Sequence, residues 1–344
     1  MKLLITGGAG FIGSHFVRHW LERHPTDDVV TLDGLTYAGV RATMEELAGH
    51  PRHRFLEGDI CDRGLVREGM QGCEVVVHFA AETHVDRSIT DASPFLRTNV
   101  EGTHTMLRAA SEARVQRFIH MSTDEVYGPI LTGAHDETAM LNPRSPYAAS
   151  KAAGDLLVHA HRETYGLPSI IVRCTNVFGP RQLPEKFIPL SITNALQALP
   201  LPIYGDGQQR RGWLFVEDLC RALERVITDG ALGAVYNVGS PAEHPNLEVA
   251  QRILRVLGKP ADLLQFVEDR PGHDRRYAMQ DARLRALGWR PQVEFEDGLR
   301  RTIAWYREHP TWWQPLKERL RDDPYHWLNR AVRSGAGRAA SPVV

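Results

Sequence analysis

Two short runs of this 344-residue chain carry side chains suited to proton transfer. In Tyr147-Ala148-Ala149-Ser150-Lys151, a phenol and an ammonium stand four residues apart, hence on one face of a predicted helix. A free phenol titrates near ~10, too high for a base at neutral pH, so it needs cationic neighbours. Lowering it by about three units takes ~4 kcal/mol of differential stabilisation, within reach of two close cations in a dry site. In Ser122-Thr123-Asp124-Glu125, two carboxylates follow hydroxyl residues at the end of a predicted strand. Adjacent acids repel, so the pair reads either as a solvated loop or as an acid and a base with separate tasks.

The elements that must position these groups alternate along the first 175 or so residues. Lys2–Thr6, Val29–Asp33, Arg54–Glu57, Val75–Phe79, Arg117–Ser122 and Ser169–Cys174 read as strands, most with consecutive apolar residues, as strands buried on both faces require. Helical patterns over Phe11–Glu22, Thr98–Ala113 and Pro146–Thr164 separate them. This rhythm predicts a Rossmann-type α/β fold, a doubly wound parallel sheet over residues 1–178, with a chain return around 213–240. From Gly179-Pro180 onward prolines become dense, and helices are expected at Glu185–Leu199, Val216–Thr228, Asn246–Leu257, Asp281–Leu287, Phe295–Glu308 and Pro315–Arg321. Residues 179–328 therefore read as a smaller, mixed α/β part. The Ala/Arg/Gly/Ser-rich stretch 330–344 reads as a disordered tail.

Between the first strand and first helix, Gly7, Gly10 and Gly13 follow Gly-x-x-Gly-x-x-Gly. Side-chain-free positions let the backbone approach a pyrophosphate at a helix start. Asp33, twenty residues beyond Gly13 at the end of the second strand, can accept from both ribose hydroxyls and would repel a 2′-phosphate. The cofactor expected is NAD, whose positive ring would join Lys151 beside Tyr147. Asp59 and Ile60 are placed to meet the adenine, and Phe79, Ala80 and Ala81 to flank the cofactor.

The fingerprint together with Tyr147 and Lys151 resembles the extended short-chain dehydrogenase/reductase family. Leu35-Thr36-Tyr37-Ala38-Gly39, Ala81-Glu82-Thr83-His84-Val85-Asp86-Arg87-Ser88, Ser122-Thr123-Asp124-Glu125-Val126-Tyr127-Gly128, Pro184-Glu185-Lys186 and Arg270-Pro271-Gly272-His273-Asp274-Arg275-Arg276-Tyr277 resemble its dTDP-glucose 4,6-dehydratase branch, in order, from residue 1 to about 328. The resemblance implies oxidation at sugar carbon 4, elimination of water across carbons 5 and 6, and hydride return to carbon 6. It implies Glu125 as base, Asp124 as acid, Thr123 on the carbon-4 oxygen, and Tyr147 with Lys151 for the oxidation. It adds Phe11, Ile12, Leu35, Thr36, Thr98 and Asn176 to the cofactor contacts. Thr83, Thr123, Asn176, Glu185, Lys186, Phe187, Pro202, Tyr204, Arg211, Asn246, Arg270 and His273 become contacts of a dTDP-glucose substrate. It also implies a homodimer built through Thr98–Ala113 and Pro146–Thr164. UDP-glucose dehydration, nucleotide-sugar 4-epimerisation and a non-catalytic NAD-binding regulator are the alternatives. The chain departs from the pattern at Gly212, where an aspartate is usual, at Val177, where a second asparagine is frequent, and in a short 128–143 segment.

Bulk properties narrow the field further. Apolar residues make up 42% and charged residues 24%, with net charge −1, so no global field favours nucleic acid or an anionic membrane. No stretch reaches the ~20 apolar residues of a membrane span, and the first apolar run is too short for a signal peptide. Cytoplasmic residence follows as the expectation. The four cysteines lack paired spacing and read as buried free thiols. The sixteen histidines form no metal-binding motif, and no metal is expected.

Overall fold

The computed structural model describes residues 1–321. Its main sheet holds strands β1 (Lys2–Thr6), β2 (Asp28–Asp33), β3 (His53–Glu57), β4 (Val75–His78), β5 (Arg117–Thr123) and β6 (Ser169–Cys174). Four short strands follow in the second half: β7 (Asn176–Phe178), β8 (Leu201–Tyr204), β9 (Arg210–Phe215) and β10 (Val235–Val238). Two more, β11 (Glu243–Pro245) and β12 (Leu264–Val267), complete the set. The order β10-β6-β5-β4-β1-β2-β3 is parallel at every pairing, so the fold is the doubly wound α/β architecture expected.

Consecutive apolar residues explain the two-sided burial. In β1, Leu3 and Ile5 face a layer with Phe16, Val17 and Trp20 of helix Phe11–Arg23, while Leu4 faces Val66, Met106 and Leu107. β1 lies between β2 and β4, so the chain leaves it in opposite directions. A crevice opens beyond strand ends at such a reversal, and the glycine loop sits there. Helix Pro146–Tyr165 starts with a Ser145 side chain capping Ala148 N–H and ends at Gly166 in the left-handed region. It brings Tyr147 and Lys151 to the end of β5.

The chain returns to the main sheet through helix Val216–Asp229 and β10. The remaining strands pair in small sheets, β11-β9-β7 and β12-β8. Sequence patterning gave no strand for these because each is short and prolines interrupt β8 and β11. Helix Thr98–Ala113 is reshaped as well: Arg97–Gly102 form a π-helical segment before the α-helix Thr103–Ala113. The segment expected as Glu185–Leu199 is helical over Phe187–Leu196, and the last helix begins at Pro310 rather than Pro315. Of the cysteines, Cys73, Cys174 and Cys220 are buried and Cys61 only partly, a correction to the fully buried reading. Residues 330–344 lie outside the described residues. Among the described residues, no helix is long and apolar enough to cross a membrane.

Asp218 ties the C-terminal part to this frame. Its fully buried carboxylate accepts from Gln292 N–H at 2.7 Å and Val293 N–H at 3.0 Å and pairs with Arg221. Asp218→Ala leaves these donors unpaired and is expected to cost about 2–4 kcal/mol, read as a lowered Tm against the parent.

Candidate active site

The glycine loop is built for close approach. Gly7 has φ +71°, and a Cβ there would lie 2.6 Å from Ala80 N; a Cβ at Gly13 would lie 2.2 Å from the Gly7 carbonyl oxygen. Gly10 caps helix Phe11–Arg23 with no side chain, so the first-turn N–H groups face the loop unshielded. Asp33 accepts from Ala9 N–H at 2.9 Å and Leu35 N–H at 2.8 Å. Burial raises its pKa, and those amide donors oppose the rise. One carboxylate thereby joins the loop after β1 to the loop after β2, with lone pairs left for ribose hydroxyls. The cradle and this acceptor fit a dinucleotide.

Other expected cofactor contacts border the same crevice. Ala80 N–H reaches Thr6 Oγ1 at 3.3 Å, Phe79 packs on Phe16, and Phe11, Ile12, Ala81, Thr98 and Asn176 are half-buried. Ile60 is buried, whereas Asp59 pairs with Arg97 at 2.6 Å near the surface, and Thr36 is exposed.

Thr123 ends β5 and caps the short helical turn Asp124–Tyr127, accepting from Glu125 N–H at 3.3 Å and donating to Asp124 Oδ1 at 3.2 Å. This turn directs both acids inward instead of leaving them in a solvated loop. Asp124 is 4% exposed, and its Oδ2 has no partner. Burial, then repulsion by Glu125, pushes its pKa up to about 7. Burial also raises Glu125, but Arg270, Arg211 and Lys186 pull it back. Burial thus raises both acids, Asp124 far enough to hold a proton at neutral pH, while three cations oppose the rise at Glu125.

Tyr147 and Lys151 are both buried, and Lys151 Nζ donates to Met121 O at 2.7 Å. Burial lowers Lys151 to about 8, which leaves it mainly cationic at neutral pH. Tyr147 departs from the expectation. Burial drives its pKa well above 10, and Glu125, Cys174 and Asp124 add to the rise. Burial holds the phenol neutral in the polypeptide by itself, and the Glu125 charge adds to the effect. Positive charge from a cofactor ring is therefore a requirement for ionisation rather than a supplement.

The C-terminal part supplies the cations. Arg211, on β9, is buried with its guanidinium 4.5 Å above the Tyr277 ring and bonded to Asp274 O at 2.9 Å. Arg270 bonds Asp86 Oδ1 at 2.9 Å, and Tyr204 donates to Asp86 Oδ2 at 2.7 Å. Lys186 donates to Thr83 O at 3.0 Å beside the buried Glu185, and Phe187 stacks on Trp213. Pro202 and Asn246 are half-buried, and Asn246 Oδ1 has no partner. By contrast Arg275 is an exposed partner of Asp206. His273 adds no charge to this set: burial, then Arg270 and Arg211, lower it to about 4, so it is a neutral ring against Tyr204. At Gly212, a Cβ would lie 2.8 Å from Thr175 Oγ1, so this departure removes a side chain from a packed position.

Several site residues escaped the sequence reading. Asp86 stood unremarked inside a quoted motif although it holds both Arg270 and Tyr204. Asn99, in the π-helical segment, bonds Glu82 N–H and C=O and the Ser150 hydroxyl, steadying the helix before Lys151. Only its neighbours in space mark it. Among the described residues, no cluster of three or more His, Cys, Asp or Glu is arranged to hold a metal.

A glycine cradle at a sheet reversal, with a buried Tyr/Lys pair on the next helix, defines a Rossmann-fold enzyme of short-chain dehydrogenase/reductase type. Residues 4–302 match the family model described as GDP-mannose 4,6 dehydratase, and the chain belongs to this family. The low-salt glycan biosynthesis protein Agl12 of Haloferax volcanii is 53% identical, over 89% of this chain and 98% of that one. A dTDP-glucose 4,6-dehydratase of Streptomyces niveus is 49% identical, over 92% and 96%. The solved structure of DesIV, a dTDP-glucose 4,6-dehydratase from Streptomyces venezuelae with NAD and TYD bound, is similar with a TM-score of 0.90. It is 50% identical, covering 92% of this chain and 100% of that chain.

The glycine loop yields a direct test. Gly13→Ala is expected to abolish NAD binding, measured by equilibrium dialysis, because its Cβ would meet the Gly7 carbonyl where the loop must stay tight.

Proposed function

We propose that this protein is an NAD-dependent hydro-lyase that converts dTDP-glucose to dTDP-4-keto-6-deoxyglucose. The carrying observation is the pair Asp124 and Glu125, turned inward beside Tyr147, with Asp124 raised to about 7 and three cations opposing the rise at Glu125. An epimerase needs the Tyr/Lys pair but gives these two acids nothing to do. A regulator that only binds NAD needs none of them.

NAD, which the glycine loop and Asp33 would hold, would supply the oxidant by taking the carbon-4 hydride and returning it to carbon 6. Tyr147 takes the carbon-4 hydroxyl proton, Lys151 supplies positive charge next to it, and the Thr123 hydroxyl holds the carbon-4 oxygen. The resulting ketone acidifies carbon 5, since a carbanion there delocalises into the carbonyl. Glu125 accepts that proton while protonated Asp124 donates to the carbon-6 hydroxyl, which leaves as water. When hydride reaches carbon 6, Glu125 gives its proton back to carbon 5. The proton gained at Tyr147 matches the one lost from Asp124, and solvent exchange resets both.

Thr83, Asn176, Glu185, Lys186 and Phe187 suit the sugar side of the site. Arg211, Arg270 and Asn246 suit the diphosphate, and Pro202, Tyr204 and His273 suit the base. The nucleotide end thus lies on the part from residue 179 onward. Two copies are proposed to pair through helices Thr103–Ala113 and Pro146–Tyr165, where Leu156 is 60% exposed and Tyr165 67%. The substrate chemistry suits the cytoplasm.

Incubation with dTDP-glucose and NAD is expected to give the alkali-developed ultraviolet absorbance of a 4-keto sugar; conversion to the galactose isomer instead would mean epimerisation. Parallel reactions with UDP-glucose measure base preference. Glu125→Gln is expected to block deuterium exchange from solvent at carbon 5 while NADH still forms, and unchanged exchange removes Glu125 from the role of base. The pH profile follows from Asp124. With its pKa raised to about 7, its proton is present below that value and lost above it, so dehydration is expected to decline as pH rises through about 7. Asp124→Asn should remove that limb and slow turnover by roughly 10²–10⁴-fold.

A further inference from the structure

Behind the Tyr147/Lys151 face lies a layer of buried charge that the proposed steps do not use. Asp155 follows Lys151 by four residues on helix Pro146–Tyr165, so the two share a face. Asp155 is 2% exposed. Its Oδ2 accepts from Arg173 Nε at 2.8 Å; its Oδ1 lies 3.5 Å from His120 Nε2 and has no hydrogen-bond partner. Arg173 also donates to the Tyr127 hydroxyl at 2.8 Å, which donates to Asn237 Oδ1 at 2.8 Å.

The titratable groups around Lys151 come from four elements. Tyr147 and Asp155 stand on its own helix, His78 on β4, His120 on β5, and Arg173 and Cys174 on β6. Burial, with the Lys151 charge assisting, lowers both histidines, so they are neutral. Burial also raises the Cys174 thiol and the Tyr147 phenol, so these too are uncharged at neutral pH. What remains is two cations, Lys151 and Arg173, against the carboxylate of Asp155. A buried ammonium without a nearby anion sheds its proton.

We infer that Asp155 is a positioning residue for the oxidation at carbon 4, its carboxylate keeping Lys151 an ammonium in a dry pocket and so preserving the positive charge beside Tyr147. The inference rests on the reading of Lys151 given above. Arg173 holds the carboxylate in place and ionised through Oδ2. Among the influences on Lys151, burial lowers its affinity for a proton, and Asp155 is the first group opposing that loss. An ammonium disappears as pH rises through its pKa, so removing the Asp155 charge moves this loss to lower pH.

The test isolates oxidation. Full-length enzyme with NAD is given dTDP-6-deoxyglucose, which lacks the leaving hydroxyl, and NADH formation is followed by absorbance across pH. Asp155→Asn is expected to move the alkaline limb down by about one pH unit, with rates above the limb falling roughly tenfold. Asp155→Glu, which keeps the charge, is expected to leave the limb in place. A packing role predicts the reverse, because asparagine matches aspartate in size and glutamate does not. An unmoved limb in Asp155→Asn, or equal displacement in both variants, overturns the inference. Should Asp155→Asn fail to fold, Asp155→Glu decides alone: a displaced limb despite retained charge overturns it. Lys151→Met separates the two levels. If it oxidises the sugar at the parental rate, the reading of Lys151 fails; if it does not, and the limb of Asp155→Asn stands still, only the role of Asp155 fails.

Discussion

Charge in a dry pocket is costly unless opposite charge is built in beside it, and this constraint organises the molecule. Asp124 and Glu125 are neighbours in sequence, both turned inward by the Thr123 cap, Asp124 buried and Glu125 half-buried. Left to themselves they would both protonate, and neither would be a base. The second half of the chain answers this. Arg211 arrives on β9, Arg270 on the segment after β12, and Lys186 just before helix Phe187–Leu196. Their combined field opposes the rise at Glu125, whereas Arg211 is the one cation of the three opposing it at Asp124. The small sheets β11-β9-β7 and β12-β8 are thus scaffolding for cations, as the main sheet is scaffolding for the acids.

Much of this was legible in order along the chain. Six of the seven strands of the main sheet were readable to within a residue because most are short apolar runs bounded by turns, whereas β10 was legible only as a chain return around 213–240. Gly7, Gly13 and Asp33 were readable because backbone crowding and ribose chemistry demand those residue types. Tyr147, Lys151, Asp124 and Glu125 were readable because their spacing is local. The limits were set by distance. Nothing near Asp86 in sequence announces Arg270, which comes from 184 positions later. His273 looks basic until its surroundings show two guanidinium groups and a buried ring. The state of Tyr147 was hidden for the same reason: its helix shows Lys151, but not the burial or the Glu125 charge on the turn after β5 that hold the phenol neutral. Asn99 became meaningful only once the π-helical segment turned it toward Glu82 and Ser150.

The two binding regions are not independent. Tyr37, in the loop after Asp33, lies 3.9 Å beneath the Arg87 guanidinium and 3.4 Å from Thr83. Thr83 in turn receives Lys186 through its carbonyl, and Arg87 lies 3.6 Å from Glu185. A short path of contacts therefore runs from the ribose acceptor to the substrate cations. The loop itself is backed by helix Pro310–Arg321, whose Leu316 and Leu320 pack with Tyr37, Ala38 and Val40 while Arg319 donates to Tyr37 O at 2.7 Å.

That last contact has a consequence for biogenesis. Residue 37 is made 282 positions before residue 319, and β10, which completes the sheet edge beside β6, also follows the other six strands. A chain still tethered to the ribosome can form most of the parallel sheet, yet the wall behind its ribose loop waits for helix Pro310–Arg321. Loss of helix Pro310–Arg321 would therefore strike at a segment 282 positions earlier, leaving a folded sheet with an unbraced loop.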